Sequence, residues 1–208
     1  MKSYDNDPAK RKSRKKLKDV IEETLLENYH LRAGDLHVLH LPGPQSMEVK
    51  QVYDELNIPR ANIVGIERDP EAARQAREET PGIQVINRDL DNFLDEDDRP
   101  YDIISLDLTG NISDTTAEIL AKSHERPHPE RLVYHAALVG QRESKDSQIN
   151  AKLDKIKTLA LAENPQILGI QKYQDDNITE TEKLRRYVID CYFHDFGDGP
   201  YIPNSLDA

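Results

Sequence analysis

Four residues placed at the ends of short apolar runs carry the chemistry legible in this chain: Gly43, Glu67, Asp89 and Asp107. Glycine lets a backbone approach a ligand closely where a strand turns into a helix. Glu67 closes the run Asn62-Ile-Val-Gly-Ile-Glu67 and lies 24 positions after Gly43. An acid about 20 residues beyond such a turn is spaced to accept hydrogen bonds from both hydroxyls of a ribose. Asp89 follows the apolar run Ile83 to Ile86, and Asp107 lies within Tyr101 to Leu108. Each residue also has a plain structural reading. Gly43 serves an ordinary strand–helix turn, Glu67 pairs with Arg68 or Arg88, and Asp89 caps a helix. No Gly-x-Gly-x-x-Gly is present, which disfavours a dinucleotide-dependent dehydrogenase.

The elements that would hold these residues alternate along the chain. Leu17, Val20, Ile21, Leu25 and Leu26 fall on one helical face and predict a helix from about Ser13 to His30, with Ser13 as its cap and residues 1–12 flexible. Leu36 to Leu41 reads as a strand, Ser46 to Leu56 as a helix, and Ile63 to Ile66 as a buried strand. Asp69-Pro70-Glu71 opens a helix with a capping carboxylate, a first-turn proline and an acid at the positive end of the dipole. Strands follow at Ile83 to Ile86 and Tyr101 to Leu108, a helix at Asp114 to Ser123, and a strand at Arg131 to Val139. An amphipathic helix is predicted at Ser147 to Ala162, then an antiparallel pair at Gln166 to Tyr173 and Arg185 to Phe193. Alternation of this kind predicts an α/β fold with a mostly parallel sheet. The expected organisation is a basic arm and amphipathic helix over 1–30, one domain over 31–196, and a tail over 197–208.

Composition narrows the class. Charged residues make up 32% of the 208, yet the aliphatic residues fall in periodic blocks, so the chain is globular rather than disordered. No apolar run reaches the roughly 18 residues of a membrane span. The charged N-terminus lacks the apolar segment of a secretion signal, and a single cysteine, Cys191, fits a reducing compartment, so a cytoplasmic location is expected. The net charge of −11 opposes nucleic acid on average, but Lys10 to Lys18 holds seven cations in nine residues. That run reads either as an RNA- or DNA-seeking arm or as the solvated start of a helix.

Order and residues together resemble the class I S-adenosylmethionine-dependent methyltransferases over roughly Asp35 to Phe193. The resemblance implies a three-layer Rossmann-like fold with a seven-stranded, mostly parallel sheet and an antiparallel strand near the C-terminus. It implies S-adenosylmethionine as cofactor, with Leu41, Pro42, Gly43 and Gln45 cradling its methionine part. Glu67 and the adjoining Arg68 would serve the ribose, and Asp89 and Leu90 the adenine. Asp107 and Thr109 would face the methyl acceptor, and Ser105 to Ile112 with Gly140 to Asp146 would line the mouth. Two features depart from the usual pattern. The first loop has one glycine between Pro42 and Pro44, and Asp107-Leu-Thr-Gly110 lacks the prolines and aromatic of enzymes that methylate exocyclic base amines. The acceptor is therefore open, and a binding or scaffold protein without turnover is the alternative.

Other constellations carry less. His124-Glu-Arg-Pro-His128 spells a zinc-protease motif, but Pro127 opposes the continuous helix that motif needs. His37 and His40 fall on opposite faces of a strand and make poor co-ligands. No metal site is expected.

Overall fold

The computed structural model describes residues 8–108, 114–124, 131–140, 170–173 and 185–195. In chain order these form α1 (Pro8–Val20), continued by a π-helical stretch (Ile21–Asn28), β1 (Val38–His40) and a second π-helical stretch (Val49–Tyr53). Next come β2 (Ile63–Glu67), α2 (Pro70–Glu79), β3 (Gln84–Asn87), α3 (Leu90–Glu96) and β4 (Ile103–Leu108). The last are α4 (Asp114–His124), β5 (Arg131–Gly140), β6 (Ile170–Tyr173) and β7 (Arg185–Asp195). The helix predicted at Ser147 to Ala162 and the tail from Gly197 lie outside the described residues.

The strands form a single seven-stranded sheet in the order β3-β2-β1-β4-β5-β7-β6. β1 to β5 are mutually parallel, and β7 runs antiparallel between β5 and β6. The predicted architecture is what forms. Chain order reverses between β1 and β4, so the crevice at their carboxyl ends is the natural place for a ligand.

Strand periodicity sorts the side chains onto two faces. One face carries Leu39, Val64, Ile66, Ile104, Leu106 and Tyr134 and is covered by Leu90, Phe93 and Leu94 of α3 and Leu120 of α4. The other carries Val38, Ile63, Ile103 and Val133. It is covered by Leu17, Val20, Ile21 and Leu25 of the first helix, by Val49, Val52 and Tyr53, and by Ala73 and Ala76 of α2. Full burial of each large aliphatic chain contributes about 1.5–3 kcal/mol, so these two layers are what drive collapse.

Helix starts follow their sequence signals where a carboxylate is present. Asp69 caps α2 by accepting from Ala72 N at 2.8 Å, with Pro70 in the first turn. Asp89 caps α3, accepting from Asp91 N at 3.0 Å. The first helix departs from expectation. It begins at Pro8, so residues 8–12 are helical and Ser13 sits inside the helix rather than at its cap. Its first turn has no acid and the cations of Lys10 to Lys16 follow at once, the wrong sign for the positive end of a helix dipole. Tertiary contacts must therefore hold this start in place.

Candidate functional site

The site expected from sequence lies along the carboxyl ends of β1, β2, β3 and β4. At β1 the chain leaves through Leu41 and a buried Pro42, and Gly43 takes the left-handed φ of 59° that makes the turn. Pro42 packs flat against Gly65 of β2, where an added Cβ would stand 3.0 Å from Pro42 Cγ. The loop is thus seated on the neighbouring strand by the absence of a side chain there. Gln45 is half-buried, and Ser46 is fully buried at φ 47°. Pro42 and Pro44 bring no N–H to the loop.

Glu67 ends β2 half-buried. Its Oε1 accepts from Asp69 N at 2.8 Å, while Oε2 meets no donor among the described residues. It pairs with neither arginine considered for it: Arg88 binds Glu96, and Arg68 is exposed. Asn87 Nδ2 donates to the carbonyls of Glu67 and Arg68, both at 2.9 Å, and so ties the ends of β2 and β3 together. Asp89, half-buried, uses Oδ1 as helix cap. Leu90 is a core residue, 8% exposed. At β4, Asp107 is held by Lys10 of α1 in an ion pair that is three-quarters or more shielded on both sides. Thr109 lies outside the described residues. The fold therefore brings Gly43, Glu67, Asp89 and Asp107 to one edge of the sheet, each already in structural use: the turn, the Asp69 N–H, the helix cap and the Lys10 pair.

A second set of polar residues escaped the sequence reading. Gly65, His40, Ser105 and His135 lie in one row across β2, β1, β4 and β5, in register and on the face covered by α1. His40, Ser105 and His135 are 0%, 0% and 2% exposed. Ser105 Oγ donates to Glu48 Oε2 at 3.0 Å and contacts His135 Nδ1 at 2.9 Å. Ser13 Oγ reaches the other ring nitrogen of His135 at 2.8 Å. Tyr53 donates to Glu48 Oε1 at 2.5 Å. That last contact joins residues five apart, which a helix of ordinary pitch would turn away from each other. The π-helical stretch brings them into line. His40 Nδ1 lies 3.5 Å from Glu48 Oε1, an ionic approach rather than a good hydrogen bond.

Electrostatics follow from this chain of contacts. Burial pushes the Glu48 carboxyl up, but His40, His135 and the Tyr53 hydroxyl outweigh it and hold it below the usual carboxylate range. Burial holds the His135 imidazole below its ordinary value, against the pull of Glu48 and Asp107. A neutral His135 with its proton on Nδ1 satisfies every partner in one direction: Ser13 to Nε2, Nδ1 to Ser105, Ser105 to Glu48. The signal for this cluster was present in sequence. Each member of the row stands two residues past a core aliphatic, Val38, Ile103 or Val133, on the inward face.

No known protein family profile matches the chain, and no curated protein matches it either. Solved structures do. One is a putative sarcosine dimethylglycine methyltransferase from Galdieria sulphuraria, at TM-score 0.58 and 12% identity, over 94% of this chain and 91% of that one. Another is a putative RNA methyltransferase from Pyrococcus horikoshii, at TM-score 0.56 and 14% identity, over 90% and 84%. A third is the plantazolicin methyltransferase, solved with S-adenosylhomocysteine, at TM-score 0.51 and 12% identity, over 92% and 91%. This is the class I methyltransferase fold. Likeness at such identities extends to the fold alone. Among the described residues no group of side chains is arranged to hold a metal ion, and no helix is long and apolar enough to cross a membrane.

Proposed function

We propose that the protein binds S-adenosylmethionine at the carboxyl edge of the sheet and transfers its methyl group to an acceptor at the end of β4. The observation that carries this reading is Glu67, whose Oε2 is unengaged at the tip of β2 beside the switch in strand order. Glu67 would accept from the two ribose hydroxyls, with Arg68 alongside. Asp89 and the N–H of Leu90 at the start of α3 would bracket the adenine. Leu41, Pro42, Gly43 and Gln45 would carry the methionine part, the left-handed glycine allowing close backbone approach. The cofactor supplies an activated methyl on a sulfonium. Transfer then needs alignment more than acid–base help. Asp107 and Thr109 would face the acceptor, with Asp107 fixed by Lys10 rather than free to take a proton. RNA or DNA is the acceptor class that the outward cations Arg11, Lys12 and Lys15 favour, in a reducing, cytoplasmic setting.

Calorimetry with S-adenosylmethionine and S-adenosylhomocysteine tests the binding. Removing two hydrogen bonds to a charged acceptor costs about 3 kcal/mol, so Glu67→Ala should weaken binding about 100-fold with folding intact. No binding to well-folded wild type sinks the reading. A second reading, a binding protein without turnover, is favoured by the proline-flanked loop and by the Lys10–Asp107 pair. Labelled cofactor incubated with RNA, DNA and protein pools separates the two: binding without label transfer selects the second.

A further inference from the structure

Residues 10–16 read Lys-Arg-Lys-Ser-Arg-Lys-Lys and contain no apolar side chain. Apolar anchoring of the first helix to the core begins only at Leu17. Before it, the helix is fastened to the sheet by polar contacts: Lys10 to Asp107 of β4, and Ser13 to His135 of β5. Arg14, 6% exposed, is pressed into the same interface. The dipole opposes this start of the helix, as described above, so the clasp and not the helix itself keeps it down. The imidazole at its centre is 2% exposed.

We propose that the first two turns of α1 are a proton-gated clasp, closed over the ends of β4 and β5 while His135 is neutral and released when His135 takes up a proton. In the closed form Ser13 donates to Nε2. A proton on Nε2 removes that acceptor, reverses the bond, and places a charge on a ring only 2% exposed. The other groups around His135 are His40 of β1, Glu48 and Tyr53 of the helix after β1, and Asp107 of β4. On β7, Asp190 and Cys191 stand opposite it by register, at the bulge where Tyr134 pairs Tyr192 and Ala136 pairs Ile189. Glu48 and Asp107 favour the charged ring, but burial outweighs them. Glu48 itself stays ionised above its lowered range, so between pH 5 and 8 the change falls on His135.

The sign follows from linkage. The open form binds the proton more readily than the closed form, so closure is fully favoured above the free imidazole value and weakens as pH falls through it. Release frees Lys10 from Asp107 and uncovers the end of β4. The clasp stands whether or not a cofactor binds; only its consequence, access for a methyl acceptor in acid, rests on the proposed function.

Hydrogen exchange of the Lys12–Lys16 amides, corrected for intrinsic rates and run without cofactor from pH 5 to 8, tests it. A free imidazole titrates near 6.5 and is about nine-tenths charged one unit lower, so protection should fall about tenfold between pH 7.5 and 5.5 while the Leu17–Leu25 amides hold. His135→Gln should remove the pH dependence, and Ser13→Ala should lower protection at every pH and flatten the slope. Should His135→Gln fail to fold, Ser13→Ala, which keeps the imidazole, decides by its slope. Flat protection in wild type, or a slope surviving in Ser13→Ala or His135→Gln, overturns the proposal.

Discussion

Glu48 is the residue on which the interior polar chain converges. It accepts from Tyr53 and Ser105, lies 3.5 Å from His40 Nδ1, and is 8% exposed. Removing a buried charge from such a set leaves its donors without partners, at about 3–5 kcal/mol. Glu48→Ala should therefore lower the urea midpoint markedly, whereas Glu48→Gln, which keeps the shape and one acceptor, should cost less. Its carboxyl is depressed on folding, so its contribution is present above the ordinary value of 4.5 and is lost as pH falls through the lower folded value. Acid unfolding of Glu48→Gln should accordingly be shallower below about pH 4.5, as followed by circular dichroism. Spacing could place the row on the inward face but could not show its partners. Ser13, His40, Glu48, Ser105 and His135 come from five elements, and no short motif links them. Glu67 was legible because its meaning is local: an acid at the end of a buried strand, a fixed distance beyond a glycine turn.

At the scale of elements, strands and helices were legible because their periods differ and because the caps are local chemistry. Asp69-Pro70-Glu71 announced α2 and the structure uses all three features. The first helix was misjudged at its start for the same reason in reverse. A run of cations reads as solvated, yet Lys10 and Arg14 turn inward, which only the strand ends facing them could reveal. The unfavourable dipole there can be relieved. Lys12 is exposed, and Lys12→Glu places an acid near the positive end, worth about 0.3–1 kcal/mol at low salt. That variant should raise helix content and thermal stability, and the gain should shrink as salt is added.

For the whole molecule, the sheet separates two apolar layers, and a ligand would sit at the carboxyl ends of its strands. A ligand bound there is stabilising by mass action. At 100 times its dissociation constant the gain is about 2.7 kcal/mol, which for a domain of this size is a rise in melting temperature of about 5–10 °C. S-adenosylhomocysteine should produce that rise in wild type, and Glu67→Ala should cut it to about 1 °C at the same concentration. Sequence could reach the fold class because strands alternating with helices imply a mostly parallel sheet; the strand order came only with the structure. It could not reach the acceptor, since methyl transfer asks for alignment and leaves no acid–base signature to read.

The seating of Pro42 on Gly65 bears on how distant kin of this protein can be found. A loop usually recognised by its own glycines is here set by a proline, and the room for that ring is vacated one strand away. A search template should therefore pair the two positions, a small residue mid-β2 with a ring just past β1, instead of scoring the loop by itself. Chains that trade loop glycines for such a couple would be invisible to a pattern written on either segment alone.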